Sequence, residues 1–139
     1  MGGMRIMVKT TNYFLKFSEY FYHPIHRDVK TSTIRDEPKP LNINDCVIAT
    51  FQNEERLLPL CITNHYAKRV KDLDNNDAFF EGYRHVNLLK HELLNIYPKL
   101  SDDDYVYIYI FKRVMGNKEV SSFRDNYEFV DGEWVKKKK

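Results

Sequence analysis

The stretch VKTSTIRDEP, Val29 to Pro38, decides how this chain is read. A strand that only had to pack would carry Val or Ile in its middle, yet three hydroxyl residues, Thr31, Ser32 and Thr33, stand between Lys30 and Arg35. The segment Lys30 to Arg35 is therefore expected as a strand bordering a polar pocket. Asp36, Glu37, Pro38 and Pro40 end it, because proline donates no ladder hydrogen bond. There is one geometric condition. Positions 30 and 33 of an ideal strand face opposite ways, so Lys30 has to precede the strand proper, or sit on a bulge, to meet Thr33.

Working outward, YFLKF (13–17) alternates as a short strand does, and SEYFYHPIHRD (18–28) suggests a short helix with Pro24 in its first turn. CVIATFQ (46–52) and RLLPLCITNHYAKRV (56–70) read as two strands joined by the polar turn NEE (53–55), with Pro59 implying an edge or a bulge. HVNLLKHELLNIY (85–97) is the clearest helix. Val86, Leu89, Leu93 and Ile96, joined by Leu88, Leu94 and Tyr97, give it an apolar face, and Pro98 limits it. DDDYVYIYIFKRV (102–114) has the β-branched and aromatic content of a buried strand. In YEFVDGEWV (127–135), Asp131-Gly132 predicts a type I′ turn that sets Phe129 opposite Trp134. The sum is an α+β domain with a small curled sheet, one long helix and one short one.

Global properties bound the function. With 139 residues the chain is expected to form one domain, and 42% hydrophobic with 14% aromatic residues supply a real core. The formal charge of +2 gives little long-range attraction for nucleic acid, so any basic face must be local, as in Lys136 to Lys139. No apolar run approaches bilayer-spanning length and no signal peptide is evident, which predicts a cytoplasmic protein without a membrane partner. Cys46 and Cys61 lack the spacing of a zinc or disulfide framework and are expected as small hydrophobes. The pairs His23 with His26 and His85 with His91 lack metal-site spacing. SDDD (101–104) reads as an acidic turn, and five glycines make no phosphate loop. No metal and no cofactor is expected.

Two motifs carry more. Lys30, Thr31, Thr33, Ile34 and Arg35 are followed about fifty residues later by Glu81, Gly82 and Tyr83, then by Leu89, Tyr97, Pro98 and the strand YVYIYIF (105–111). Together they resemble the ASCH domain, a branch of the PUA-like barrels. The resemblance covers residues 13–112 and leaves a C-terminal hairpin and basic tail, 113–139. It implies a PUA-like small β-barrel of five or six strands. Asp28 stands where the family usually has glycine, and aspartate tolerates the left-handed conformation better than most residues.

The resemblance implies two kinds of function. Many ASCH members are RNA-binding modules. A small single-domain group resembling this chain through Lys-Thr-x-Thr-Ile-Arg-Asp-Glu hydrolyses the acyl amide of N4-acetylcytidine. Carried over by position, the catalytic residues are Lys30, Thr33 and Glu81, with Thr31, Arg35 and Tyr83 expected to bind substrate. The chemistry is coherent. Amide hydrolysis needs a nucleophile, a proton acceptor and a donor for the leaving amine, which a threonine, a desolvated lysine and a partly buried glutamate supply. Arg35 has a planar fork suited to the ligand or a phosphate. A modified nucleoside or RNA is the expected partner, hydrolysis of acylated cytidine the preferred reading and non-catalytic RNA binding the alternative. A ribonuclease and a protein-binding role rank lower, and the sequence leaves monomer or dimer open.

Overall fold

The computed structural model describes residues 10–114, 127–130 and 133–137. In chain order they form β1 (Thr10–Phe17), α1 (Tyr22–His26), β2 (Ser32–Arg35), β3 (Cys46–Phe51) and β4 (Glu54–Arg69). Then come α2 (Asn75–Glu81), α3 (Val86–Ile96), β5 (Tyr105–Arg113), β6 (Tyr127–Val130) and β7 (Glu133–Lys136). The main sheet runs β1-β3-β4-β5-β2, with β1 parallel to β3 and the other pairs antiparallel. This mixed sheet curls into a half-barrel. Its end strands β1 and β2 are bridged by a side chain, since Arg35 Nη2 donates to the Lys16 carbonyl at 3.1 Å.

Two strands make the curl possible. β4 is 16 residues long, and its pairing with β5 slips between Ile62 and Asn64, a bulge that adds twist. Pro59 sits where the neighbour on one side of β4 changes from β7, paired at Arg56 and Leu57, to β5, paired from Leu60 onward. The missing N–H thus falls in a gap of the ladder, which is how an internal strand tolerates a proline. β5 is buried on both faces. Tyr109 and Phe111 join Leu15, Ile25, Leu60 and Ile62 inside the curl, while Val106 and Ile108 join Ile34, Val70, Leu73, Leu89 and Leu93 beneath α2 and α3. Cys46 and Cys61 are buried and unbridged.

The helices differ from the sequence reading in number and in face. Three α-helices are present among the described residues, because α2 stands apart from α3. Asp74 caps it through a capping box with Asp77, and Gly82 closes it in the left-handed conformation at φ 92°. In α3 only Leu89 and Leu93 are buried, whereas Leu88, Leu94 and Ile96 remain about half exposed. An 11-residue helix lying on one sheet face covers it with a single i, i+4 stripe, and the other leucines fall off that stripe. The NEE turn is also placed differently: Gln52 and Asn53 form it, with Asn53 at φ 61°, and Glu54 already belongs to β4. Phe129 is opposite Trp134. The turn at 131–132, and Lys138 and Lys139 of the basic tail, lie outside the described residues.

Candidate active site

Lys30 is placed by the backbone around it. Asp28 adopts φ 60°, the left-handed conformation, and its carboxylate accepts from Arg113 Nε and Nη2 at 2.9 and 2.8 Å. The chain then passes Pro24, whose carbonyl accepts from the N–H groups of Val29 and Lys30. β2 begins only at Ser32, so Lys30 precedes the strand and is free of its alternation. On the other side, α2 is sewn to this segment. Thr31 N–H donates to the Phe80 carbonyl at 2.6 Å, and the Gly82 backbone lies so near Val29 that a β-carbon there would meet the Val29 oxygen at 3.3 Å. A glycine is required at 82 for its positive φ and for this approach.

These contacts bring Lys30 Nζ and Glu81 Oε2 into a buried ion pair between residues that are both 6% exposed. Burial pushes the Glu81 carboxyl above the ordinary carboxylate range, against the downward pull of Lys30 and, more weakly, of Arg35 and the Ile34 N–H. Thr33 is buried as well, and its hydroxyl accepts from Arg35 Nε at 2.8 Å. Phe17 lies beneath the Arg35 guanidinium, 5.1 Å from ring centroid to carbon, and Phe21 stands 4.8 Å from Lys30 Nζ.

Lys30, Thr33, Arg35, Glu81 and Tyr83 all line one cavity of about 500 Å³. Phe17, Tyr20, Phe21 and Tyr97 supply aromatic walls, with Lys16 and Glu92 adding charge. Its size and its mix of aromatic wall and convergent polar groups are those of a small-molecule site. Burial, followed by Glu92 and Glu81, pushes the Tyr83 phenol up to about 12, so it stays a neutral hydrogen-bonding group. Thr31 is the exception among the residues read from the sequence. It lies outside the cavity lining, and its hydroxyl donates to the Phe80 carbonyl at 3.3 Å, because it precedes β2 and so escapes the alternation that would set it on the face of Thr33. Lys30 is paired with Glu81 and Thr33 with Arg35, a different arrangement from a lysine bonded directly to the threonine. The aromatic walls were not legible in the sequence, since Phe17, Phe21 and Tyr97 come from three separate segments.

The solved structures this chain is similar to carry the same architecture. An ASCH domain from Lactobacillus crispatus JV V101 superposes with a TM-score of 0.63 at 14% identity, over 75% of this chain and 80% of that one. The chain has the PUA-like fold of ASCH domains. A protein from Enterococcus faecalis V583 gives a TM-score of 0.61 at 13% identity, over 75% of this chain and 76% of that chain. A mutant ASCH protein from Zymomonas mobilis gives 0.54 at 7% identity, over 91% and 89%. No family model matches the sequence, and no curated protein matches it significantly. At these identities the ASCH likeness is one of fold. Among the described residues of this ASCH fold, no cluster of three or more His, Cys, Asp or Glu side chains is placed to hold a metal ion. No helix among them is long and apolar enough to cross a membrane.

Proposed function

We propose that this cavity hydrolyses the N4-acyl amide of acylated cytidine, using Thr33 as nucleophile and the Lys30–Glu81 pair to move protons. The observation that carries the reading is the buried pair opening onto the same cavity as a buried threonine. Burial holds a proton on Glu81 above the ordinary carboxylate range, and the reaction starts from the pair in its neutral form, with the shared proton on the Glu81 carboxyl. In that state Lys30 takes the Thr33 hydroxyl proton as the oxygen attacks the acyl carbon. Glu81 protonates the cytidine amine as the C–N bond breaks.

Cytidine then leaves an ester on Thr33, with Lys30 positive and Glu81 negative. Glu81 takes a proton from water as the water oxygen attacks the ester, and Lys30 returns a proton to Thr33 Oγ1 as the C–O bond breaks. Acetic acid departs and the starting protonation is restored. Arg35 Nε donates to Thr33 Oγ1, which stabilises a developing negative charge on that oxygen in both steps. The test is incubation with N4-acetylcytidine while cytidine release is followed. Wild type releases cytidine, and Thr33→Val and Lys30→Met remain folded and do not. An intact substrate after incubation with wild type overturns the reading.

One observation favours RNA binding without chemistry: Tyr20, 81% exposed, lines the same cavity as Lys16 and offers a ring on which a base of a single strand would stack. In that case RNA affinity falls steeply with salt, as neutralised phosphates release counterions, and falls again when 136–139 are removed.

A further inference from the structure

A second cavity of about 670 Å³ adjoins the first, and the two share Ile96 and Tyr97 as a common wall. Its lining adds Tyr105 and Tyr107 from β5, Leu100 from the turn after α3, and Asp36 at the end of β2. The charges differ in sign from those next door. Where the first cavity carries Lys16, Lys30 and Arg35 against Glu81 and Glu92, the second carries Asp36 and Asp104 against Lys99. A phosphate is therefore drawn toward Arg35 and repelled from the second cavity, while a flat neutral ring with N–H donors fits it. Tyr105 is 49% exposed, and its ring is steadied by Arg69, whose guanidinium carbon lies 5.3 Å from the centroid. Asp104 Oδ2 accepts from the Ser101 N–H at 2.8 Å, so the Asp36 carboxylate and Asp104 Oδ1 are the acceptors this cavity offers a ligand. Carboxylates accept from amino groups on base edges, and aromatic side chains hold unstacked bases.

From this we infer that the second cavity holds the base of a neighbouring nucleotide, one presenting amino donors, so that the substrate is an acylated cytidine within an oligonucleotide rather than a free nucleoside. The inference rests on the nucleoside reading of the first cavity. Its basis is the junction: two cavities that share Ile96 and Tyr97, with Arg35 lining the first and Asp36, the next residue, lining the second.

The experiment is calorimetric titration of the protein with cytidine, with cytidine 3′- and 5′-monophosphate, and with the two dinucleotides of cytidine and guanosine. At least one dinucleotide should bind about tenfold or more tightly than the best mononucleotide, the gain expected of one added base stack. Tyr105→Ala removes that gain and leaves cytidine binding as it was, and Asp36→Asn removes part of it. Monophosphates that match the dinucleotides place all the gain in phosphate and overturn the inference. So does a gain that survives Tyr105→Ala, or a failure of both dinucleotides to bind. Release of cytidine from N4-acetylcytidine is measured separately, so a failed amidase reading and a failed second cavity are distinguishable.

Discussion

Two acids lie one turn apart on α2, and both are buried against a lysine. Asp77 is fully satisfied. Its carboxylate accepts from the Tyr66 hydroxyl at 2.7 Å, from Lys68 Nζ at 2.8 Å and from the Asp74 N–H at 2.8 Å, at the helix start where a negative charge is favoured. Glu81 ends the same helix, where the dipole disfavours a carboxylate, and its carboxyl is pushed up by burial. The lysines differ too. Lys68 has 28% of its side chain exposed, whereas Lys30 has 7%. Equal burial thus yields one acid that closes a structural network and another that borders a cavity with fewer donors than its charge requires. Buried charge alone does not mark a catalytic group; the difference lies in how many donors meet it.

The strongest way to break this contrast is to remove each pair whole. Lys30→Met with Glu81→Leu should lower acetylcytidine turnover by about 10²–10⁴-fold or more, while urea denaturation shows stability unchanged or raised by about 1–4 kcal/mol. A large loss of stability in that variant would make the pair structural. Next in size, Asp77→Ala should cost about 3–5 kcal/mol in the same denaturation assay, because it strands Tyr66 and Lys68 and opens the capping box. Its turnover per folded molecule should change little.

A smaller effect separates the two kinds of acid by pH. Glu81 has its folded value raised above the ordinary 4.5, so the folded state holds the proton longer and stability falls as pH rises through that interval. Glu54 behaves oppositely. Its bond to Arg56 lowers it from 4.5 to about 2, so the stability it adds is present above 4.5 and is lost as pH falls toward 2. Thermal melts across pH should therefore show a downward slope above 4.5 that disappears in Glu81→Gln and persists in Glu54→Gln. The smallest expected change is at Asp28. Asp28→Gly relieves the left-handed backbone but removes the exposed pair with Arg113, and the two effects should leave melting free energy within about 1 kcal/mol of wild type.

The readable parts of this fold are those where local pattern and tertiary packing agree. The strand at 105–113 was legible because both of its faces are buried, which writes a continuous apolar and aromatic run. α2 was not, although Asp74, Asp77 and Gly82 spell its two ends. Seven residues give no helical period, and Phe79 and Phe80 point outward. In the candidate site, Lys30, Thr33, Arg35, Glu81 and Tyr83 were named through the ASCH resemblance, and alternation left two positions for Lys30, before the strand or on a bulge, of which the fold has the first. The partners did not follow. Lys30 meets a residue 51 positions away, a pairing set by the docking of α2 on β2 rather than by any local rule.

The docking of α2 beside Lys30 is made largely from main chain: the Phe80 carbonyl accepts from the Thr31 N–H and hydroxyl, and Gly82 lies against the Val29 oxygen. Such contacts carry information about side-chain identity only at Thr31 and, most strictly, at the glycine. Sequences are then free to drift at Val29, Phe79 and Phe80 without moving the lysine relative to the glutamate, in keeping with a fold shared at 7–14% identity. A substitution library across this seam should accept most residues at 29, 79 and 80 and reject nearly all at 82. The tolerance of the site is thus a property of the backbone, concentrated in one position that has no side chain.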